Sequence, residues 1–220
     1  MFLRVYQTYN NVQNEPINRR TNESVNIASG NIDERRGRFS RWSQKIRESD
    51  RAAYSELFRA MSPKLVRYAY GITKDEASAY DVLQDVFLKL WEMRQKLNPE
   101  SSLQSLLYTM TRNASLNVNR REGYLVHDDQ VMELSDVKNS VSSHSSDEKL
   151  DAQDLAEKIE GWIQELPERR KEAFILSRRH EFSHREISEI MGLSERTVNT
   201  HIFLALKHLR SKLDALQNDR

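Results

Sequence analysis

Apolar residues recur at helical spacing in two long stretches of this chain, and a polar stretch precedes each. Residues 1–45 are polar and aperiodic. Asn10, Asn11, Asn14, Asn18, Asn22, Asn26 and Asn31 punctuate them, with Pro16 and Gly30. That composition predicts a mostly disordered extension. From about Ile46 the pattern turns helical. "AAYSELFRAMSPKLVRYAYGIT" offers Tyr54, Leu57, Phe58 and Met61, then Leu65, Val66, Ala69 and Tyr70. Pro63 predicts either the first turn of a second helix or a bend between two. Gly71 with Thr73–Lys74–Asp75 ends the run.

The next run, "YDVLQDVFLKLWEMRQKL" from Tyr80 to Leu97, places Val82, Leu83, Val86, Phe87 and Leu90 on one face, with Trp91 at its edge. The opposite face carries Asp81, Gln84, Asp85, Leu88 and Glu92. One leucine therefore sits among acids and a glutamine, where water is expected. Asn98–Pro99 stops this helix, because the residue before proline disfavours the α region. Ser101 or Ser102 caps a further helix, "LQSLLYTMTRNASLNVNRR", reaching about Arg121.

Residues 122–150 lose the period again. "VSSHSSDEK", Val141 to Lys149, is low in complexity, and Asp128, Asp129, Glu133 and Asp136 make the segment mildly acidic. It predicts a flexible linker. Helical spacing returns over 151–216, leaving 217–220 as a tail. No segment alternates with the period of two that a strand needs, so the fold class is all-α: two small helical domains, 46–121 and 151–216, on one tether.

Composition narrows the chemistry. The 220 residues hold 34 Lys+Arg against 33 Asp+Glu, so net charge identifies no partner and local sign separation must. With no cysteine, disulfides, thiolate catalysis and Cys-based zinc sites are excluded. No apolar run approaches the roughly 18 residues of a membrane span, so no membrane insertion is expected. The start lacks the apolar core of a secretory signal, so the expected location is cytoplasmic. The six histidines fall in linker or motif contexts. No nucleophile triad, phosphate loop or metal constellation is present; no catalytic site, cofactor or metal is expected, and the chain does not read as an enzyme.

The most specific motif is "FSHREISEIMGLSERTVNTHIFLALKHL", Phe182 to Leu209. Ser183 with Glu186 is a capping box opening a short helix whose Ile187 and Ile190 face inward. Gly192 suits a left-handed stop, with Leu193 in the turn. Ser194 caps a second helix with Val198, Ile202, Ala205, Leu206 and Leu209 as its inward stripe. Two helices about a short glycine turn make a helix-turn-helix, and its second helix reads the major groove. The outward face is Arg196, Thr200, Phe203 and Lys207, flanked by Thr197, Asn199 and Leu204. Arg196 suits guanine and Asn199 adenine, while Thr197, Thr200 or Phe203 suits a thymine methyl. Arg169, Arg170, Lys171, Arg178, Arg179 and Arg185 are phosphate candidates.

Both halves together resemble the extracytoplasmic-function group of bacterial sigma factors, the two-domain initiation subunits of RNA polymerase. The resemblance spans about Ser55 to Leu213. It rests on "DVLQDVFLKLW", similar to the family's polymerase-binding helix; on "LYTMTRNASLNVNRR", similar to its −10 helix; and on "ELPERRKEAFILSRRHEFSHREISEIMGLSERTVNTHIFLALKHLR", similar to its −35 reader. The resemblance implies a region 2-like domain at 46–121 and a region 4-like domain at 151–216. It implies that Asp81, Gln84, Asp85, Leu88 and Glu92 meet the clamp of the largest subunit of core RNA polymerase. An apolar anchor in a polar rim is what a protein interface needs. It further implies promoter DNA as a partner. Arg112 and Asn113 match the family's basic–asparagine pair at the −10 segment, so Asn113 is expected on an extruded base, with Arg120 and Arg121 on phosphates. Tyr108 is either a stacking partner for that base or a buried residue, since Leu107, Met110 and Ala114 lie near it in register. An anti-sigma factor is a further partner the resemblance admits.

The chain departs from the family at Leu103 and Leu106, where an aromatic and a tryptophan are usual, and at Glu181, where a glycine is common. Asn199, His201 and Leu204 stand where basic residues are frequent. The alternative reading is an operator-binding regulator, since "LSERTVNTHI" also resembles the helix-turn-helix of LuxR-type regulators. That class needs a receiver or ligand domain upstream, and residues 46–121 read only as helices.

Overall fold

The computed structural model describes residues 32–121, 123 and 152–218. These form eight α-helices, one 3-10 turn and no strand, in the order α1 Ile32–Arg47, α2 Arg51–Thr73, α3 Glu76–Glu92, the 3-10 turn Arg94–Lys96, α4 Leu103–Arg121, α5 Ala152–Gln164, α6 Glu168–Arg178, α7 His184–Met191 and α8 Glu195–Asn218. They divide into two compact units, Met1–Glu122 and Gly123–Arg220. The expected linker lies almost wholly outside the described residues, as do residues 1–31.

The extension expected over 1–45 is corrected from Ile32 onward. Helix α1 packs on α2, α4 and the 3-10 turn. Ile46 is fully buried and Ser43 nearly so, while Phe39 and Trp42 are half-buried and meet edge to face at 5.3 Å. Trp42 Nε1 donates to Glu56 on α2. Three apolar side chains dispersed among six basic ones hid the period, yet they line one face and suffice to dock the helix.

Pro63 does not start a second helix: α2 runs unbroken through it. An interior proline removes one backbone bond, at a cost of about 3 kcal/mol. Here the proline is exposed, so water can serve the orphaned carbonyl. Leu57, Phe58 and Met61 before it and Leu65, Val66 and Ala69 after it are all buried in a single stripe. Helix α2 ends at Lys74, which takes the left-handed conformation at φ 60°. Asp75 then caps α3, accepting from Ser78 N. Helix α3 stops at Glu92, short of Asn98–Pro99, and the 3-10 turn completes the descent. Of the two candidate caps for α4, Ser102 serves: its Oγ accepts from Ser105 N at 3.1 Å.

The N-terminal core joins Leu57, Met61, Leu65, Val82, Phe87, Leu90 and Leu107. Tyr54 fastens α2 to α3: its hydroxyl donates to Phe87 O at 2.8 Å, and its ring lies against Phe87 and Trp91. Asn119, near the end of α4, donates to Ile72 O at 2.9 Å and ties α4 to the last turn of α2.

In the C-terminal unit α8 packs against α5, α6 and α7. Ile163, Leu166, Phe174 and Ala205 form a core, with Ile159, Ile175 and Leu209 against it. Leu206, expected on the inward stripe, is instead 39% exposed, because its angular position falls outside the arc of Val198, Ile202 and Ala205.

Ile46→Ala should lower the stability of the N-terminal unit by about 2–5 kcal/mol, as for other fully buried aliphatics. A urea titration reads this; an unchanged midpoint would return α1 to the status of an undocked extension. Gly192→Ala should cost the C-terminal unit about 1 kcal/mol, since Gly192 sits at φ +66° where a Cβ is strained. Thermal melting measures it.

Candidate nucleic-acid and protein interfaces

The first surface lies on α3. Its amphipathic run buries Val82, Leu83, Val86, Phe87 and Leu90 and so turns Leu88 outward, 53% exposed. Asp81, Asp85 and Glu92 are exposed around it, and Gln84 is half-buried. From Asp81 to Glu92 this face runs about 16 Å along the helix axis. The half-buried Trp91 borders it, with the Arg94 guanidinium 4.6 Å from its ring centroid. The periodicity marked Trp91 only as an edge residue; the stacking arginine belongs to the following turn and left no signal in the helical pattern.

The second surface is the outer side of α4. Asn113, Arg120 and Arg121 are exposed and Arg112 is half-buried. Arg120 donates to Asn117 Oδ1 at 3.4 Å. Tyr108 is not part of this surface. It is fully buried, its ring 5.0 Å from that of Tyr68, and burial pushes its phenol far above the ordinary value despite the nearby Arg35 and Arg67 guanidiniums. Leu107 and Tyr108 together turn into the core, so no face of the ring remains for an extruded base. This corrects the stacking assignment in favour of burial. The same side of α4 buries Leu103, so the departure from the family's aromatic falls at a packing position.

The third surface is the helix-turn-helix, α7 and α8, and its local signals fold as written. Ser183 Oγ accepts from Glu186 N while Glu186 Oε2 accepts from Ser183 N at 2.9 Å. Gly192 ends α7 in the left-handed region, and Leu193 N returns to Ser188 O. Ser194 Oγ accepts from Thr197 N at 3.1 Å and starts α8. The resulting outward face brings together Arg196, Asn199, Thr200, Phe203 and Lys207, all exposed, with Thr197 half-buried beside them. Phe203 is 63% exposed. Thr200 Oγ1 donates to Arg196 O, so that hydroxyl proton is spent on the helix. Among the described residues no group of histidines and acids could hold a metal ion.

The basic flank is thinner than the sequence indicates. Arg178 and Arg185 are exposed, and Arg185 pairs with Glu189 at 3.4 Å. Lys171 is buried, its ammonium held by Glu168 at 3.0 Å and by Gln164, so it braces α6 against α5 and is withdrawn as a phosphate candidate. Arg179 is paired with Glu160. His201 is half-buried, and desolvation, then the charges of Arg170 and Arg169, hold its pKa below the ordinary 6.5. Glu181, where the family commonly has glycine, adopts φ 56°, a left-handed position that glycine fills without strain.

Two family models match in chain order: Sigma-70 region 2 over residues 57–123 and Sigma-70 region 4 over 156–209, together more than half of the chain. The chain belongs to the sigma-70 family. It is 24% identical over 164 residues to the ECF RNA polymerase sigma factor SigM of Bacillus subtilis, covering 74% of this chain and 97% of that one. It is 23% identical over 182 residues to the ECF RNA polymerase sigma-E factor of Haemophilus influenzae, covering 79% and 94%. Among solved structures it is similar to the sigma factor RpoE of Bartonella quintana, crystallised with the anti-sigma factor NepR: TM-score 0.50, 25% identity, 72% of this chain and 94% of that one. It also shares its fold with CnrH, solved with the cytosolic domain of CnrY: TM-score 0.55, 18% identity, 81% and 98% covered. In this sigma factor α1 precedes the matched part of region 2 entirely, and α7–α8 form the DNA-binding helix-turn-helix of region 4.

The depressed His201 pKa has a stability consequence. The unfolded chain takes up that proton near pH 6.5, before the folded unit does. The C-terminal unit should therefore hold its full stability above that value and lose it as pH falls below. Melting curves between about pH 7.5 and 5 should show a slope that His201→Gln reduces.

Proposed function

We propose that this sigma factor binds core RNA polymerase through the Leu88 face of α3, opens the −10 element with α4 and reads the −35 duplex with α8. The observation that carries the reading is an exposed leucine ringed by Asp81, Gln84, Asp85 and Glu92 in the unit ahead of a helix-turn-helix. A buried apolar anchor inside a charged rim gives a protein partner both affinity and orientation, and acids there suit a basic clamp surface. On α4, exposed Asn113 offers donor and acceptor to the edge of an extruded base, with Arg112, Arg120 and Arg121 for the backbone. On α8, Arg196, Thr197, Asn199, Thr200 and Phe203 meet base edges, while Lys207, Arg178 and Arg185 meet phosphates.

The working boundaries are a region 2-like domain from Ile32 to Arg121 and a region 4-like domain from Ala152 to Asn218, with the intervening residues as their tether. The protein is a non-enzymatic initiation subunit acting in the cytoplasm. An anti-sigma factor is a further partner, by analogy with the relative crystallised with NepR. No described helix is long and apolar enough to cross a membrane. An operator-binding regulator remains the contrasting class. Run-off transcription separates the two: a sigma factor makes core enzyme initiate at defined sites, whereas an operator binder acts only on a holoenzyme already assembled.

Leu88→Arg should leave the helix content unchanged and weaken core binding. An anchor of this size contributes about 1–3 kcal/mol, so affinity should fall roughly 5- to 150-fold. Co-purification with core enzyme at wild-type affinity would dismiss the α3 assignment. Arg196→Ala should weaken −35 duplex binding with altered base selectivity, and Arg178→Ala should weaken it uniformly. Asn113→Ala should spare duplex binding but reduce the permanganate reactivity of promoter thymines; unchanged footprints would remove Asn113 from base capture.

A further inference from the structure

Helix α1 carries six basic side chains, Arg35, Arg36, Arg38, Arg41, Lys45 and Arg47, against two acids, Asp33 and Glu34. The whole chain is balanced to within one charge, so this helix concentrates positive charge that other segments offset. Docking orients it. With Phe39, Trp42, Ser43 and Ile46 toward the bundle, Arg38, Arg41 and Lys45 fall at i, i+3 and i+7 on one outward face, and all three are exposed. From Arg38 to Lys45 the stripe rises about 10 Å.

Several cations elsewhere in the protein are paired: Arg179 with Glu160, Arg185 with Glu189, Lys212 with Glu165. Arg38 and Arg41 make no ion pair with a described residue. Arg38 lies 6.0 Å from the Trp42 ring centroid, and Lys45 acts on Asp50 only at a distance. The stripe also lacks an apolar anchor. The exposed large hydrophobics among the described residues are Tyr70, Leu88, Phe203 and Leu206, and none is on α1. A protein interface needs such an anchor; a phosphate backbone needs only unpaired cations at helical intervals. Helix α1 also packs on α4, with the Arg35 guanidinium close enough to act on the Tyr108 hydroxyl. The stripe thus belongs to the same unit as the proposed −10 surface, yet it lies ahead of the region 2 match, which begins at residue 57.

We infer that Arg38, Arg41 and Lys45 of α1 form a sequence-independent contact for the DNA phosphate backbone, extending the promoter-binding surface of the N-terminal unit. The inference rests on the promoter-binding reading above. Cations on a rigid, docked helix lose little further entropy on meeting phosphates, and each displaces a condensed counterion.

The test is a salt titration of the full chain on random-sequence duplex DNA. Each phosphate neutralised contributes about 0.9 to the slope of log affinity against log salt. The variant Arg38→Gln/Arg41→Gln/Lys45→Gln should flatten that slope by about 2–3, while Arg38→Lys/Arg41→Lys retains it. A triple variant with the wild-type slope overturns the inference. So does one that loses affinity for core polymerase with its DNA slope intact, which would make the stripe a protein contact. Melting curves check folding, and if the triple variant melts early, the single Arg41→Gln should still lower the slope by about 0.9. Run-off transcription is scored separately: a flattened slope without initiation by the wild type would remove the sigma reading and leave the stripe.

Discussion

Helix α2 has to satisfy three neighbours at once, and the N-terminal unit is arranged around that demand. Its buried positions run from Ala53 to Thr73, and α1, α3 and α4 all pack on it. A break at Pro63 would divide this stripe and swing its second half away from α4. The helix stays whole because the burial of Leu65, Val66 and Ala69 outweighs one lost hydrogen bond at an exposed position. With α2 continuous, the Tyr54 hydroxyl reaches Phe87 O at one end and Ile72 O receives Asn119 at the other. Those two bonds fix the rotation of α3 and α4, and with it which residues face outward: Leu88 on one helix, Asn113 on the other.

The C-terminal unit depends on local chemistry instead. Helix α7 has only eight residues, too few to hold itself together, and both of its ends are closed by specific groups. The capping box at Ser183 sets its start, and Gly192 sets the angle at which the chain leaves for α8. The outward face of α8 inherits its direction from that turn. Lys171, buried between Gln164 and Glu168, shows that part of the basic sequence here supports the scaffold.

Features encoded within a few residues were legible in the sequence. The capping box, the turn glycine, the Ser194 cap and the exposed Leu88 each follow from spacing alone, and each lies where the spacing put it. Features decided by tertiary burial were not. Helix α1 offers few apolar residues and becomes a helix of the bundle only because α2 and α4 supply the opposing surface. Pro63 reads as a breaker until the stripe on either side is seen to be one. Tyr108 sits where its rotation about α4 decides between solvent and core, and the helical period left both open. Leu206 errs the other way: its apolar side chain reads as core, although its angle on α8 lies outside the buried arc. Sign and burial also diverged, since a lysine in a basic run gives no warning that it will be enclosed.

The inner side of α4 changes character along its length. Leu103, Leu107 and Tyr108 fill the core in its first half, whereas the buried positions after Thr111 are Ser115 and Asn119. The Ser115 hydroxyl is buried without a hydrogen-bond partner among the described residues and gains one from water on opening, whereas a leucine drawn out of a core loses its burial outright. The second half of α4, which carries Asn113, Arg120 and Arg121, therefore opens at less cost than the first. Its backbone amides belong at the fast end of native-state hydrogen exchange. A segment held in this way can adjust its tilt while the leucine-filled half keeps the helix in register.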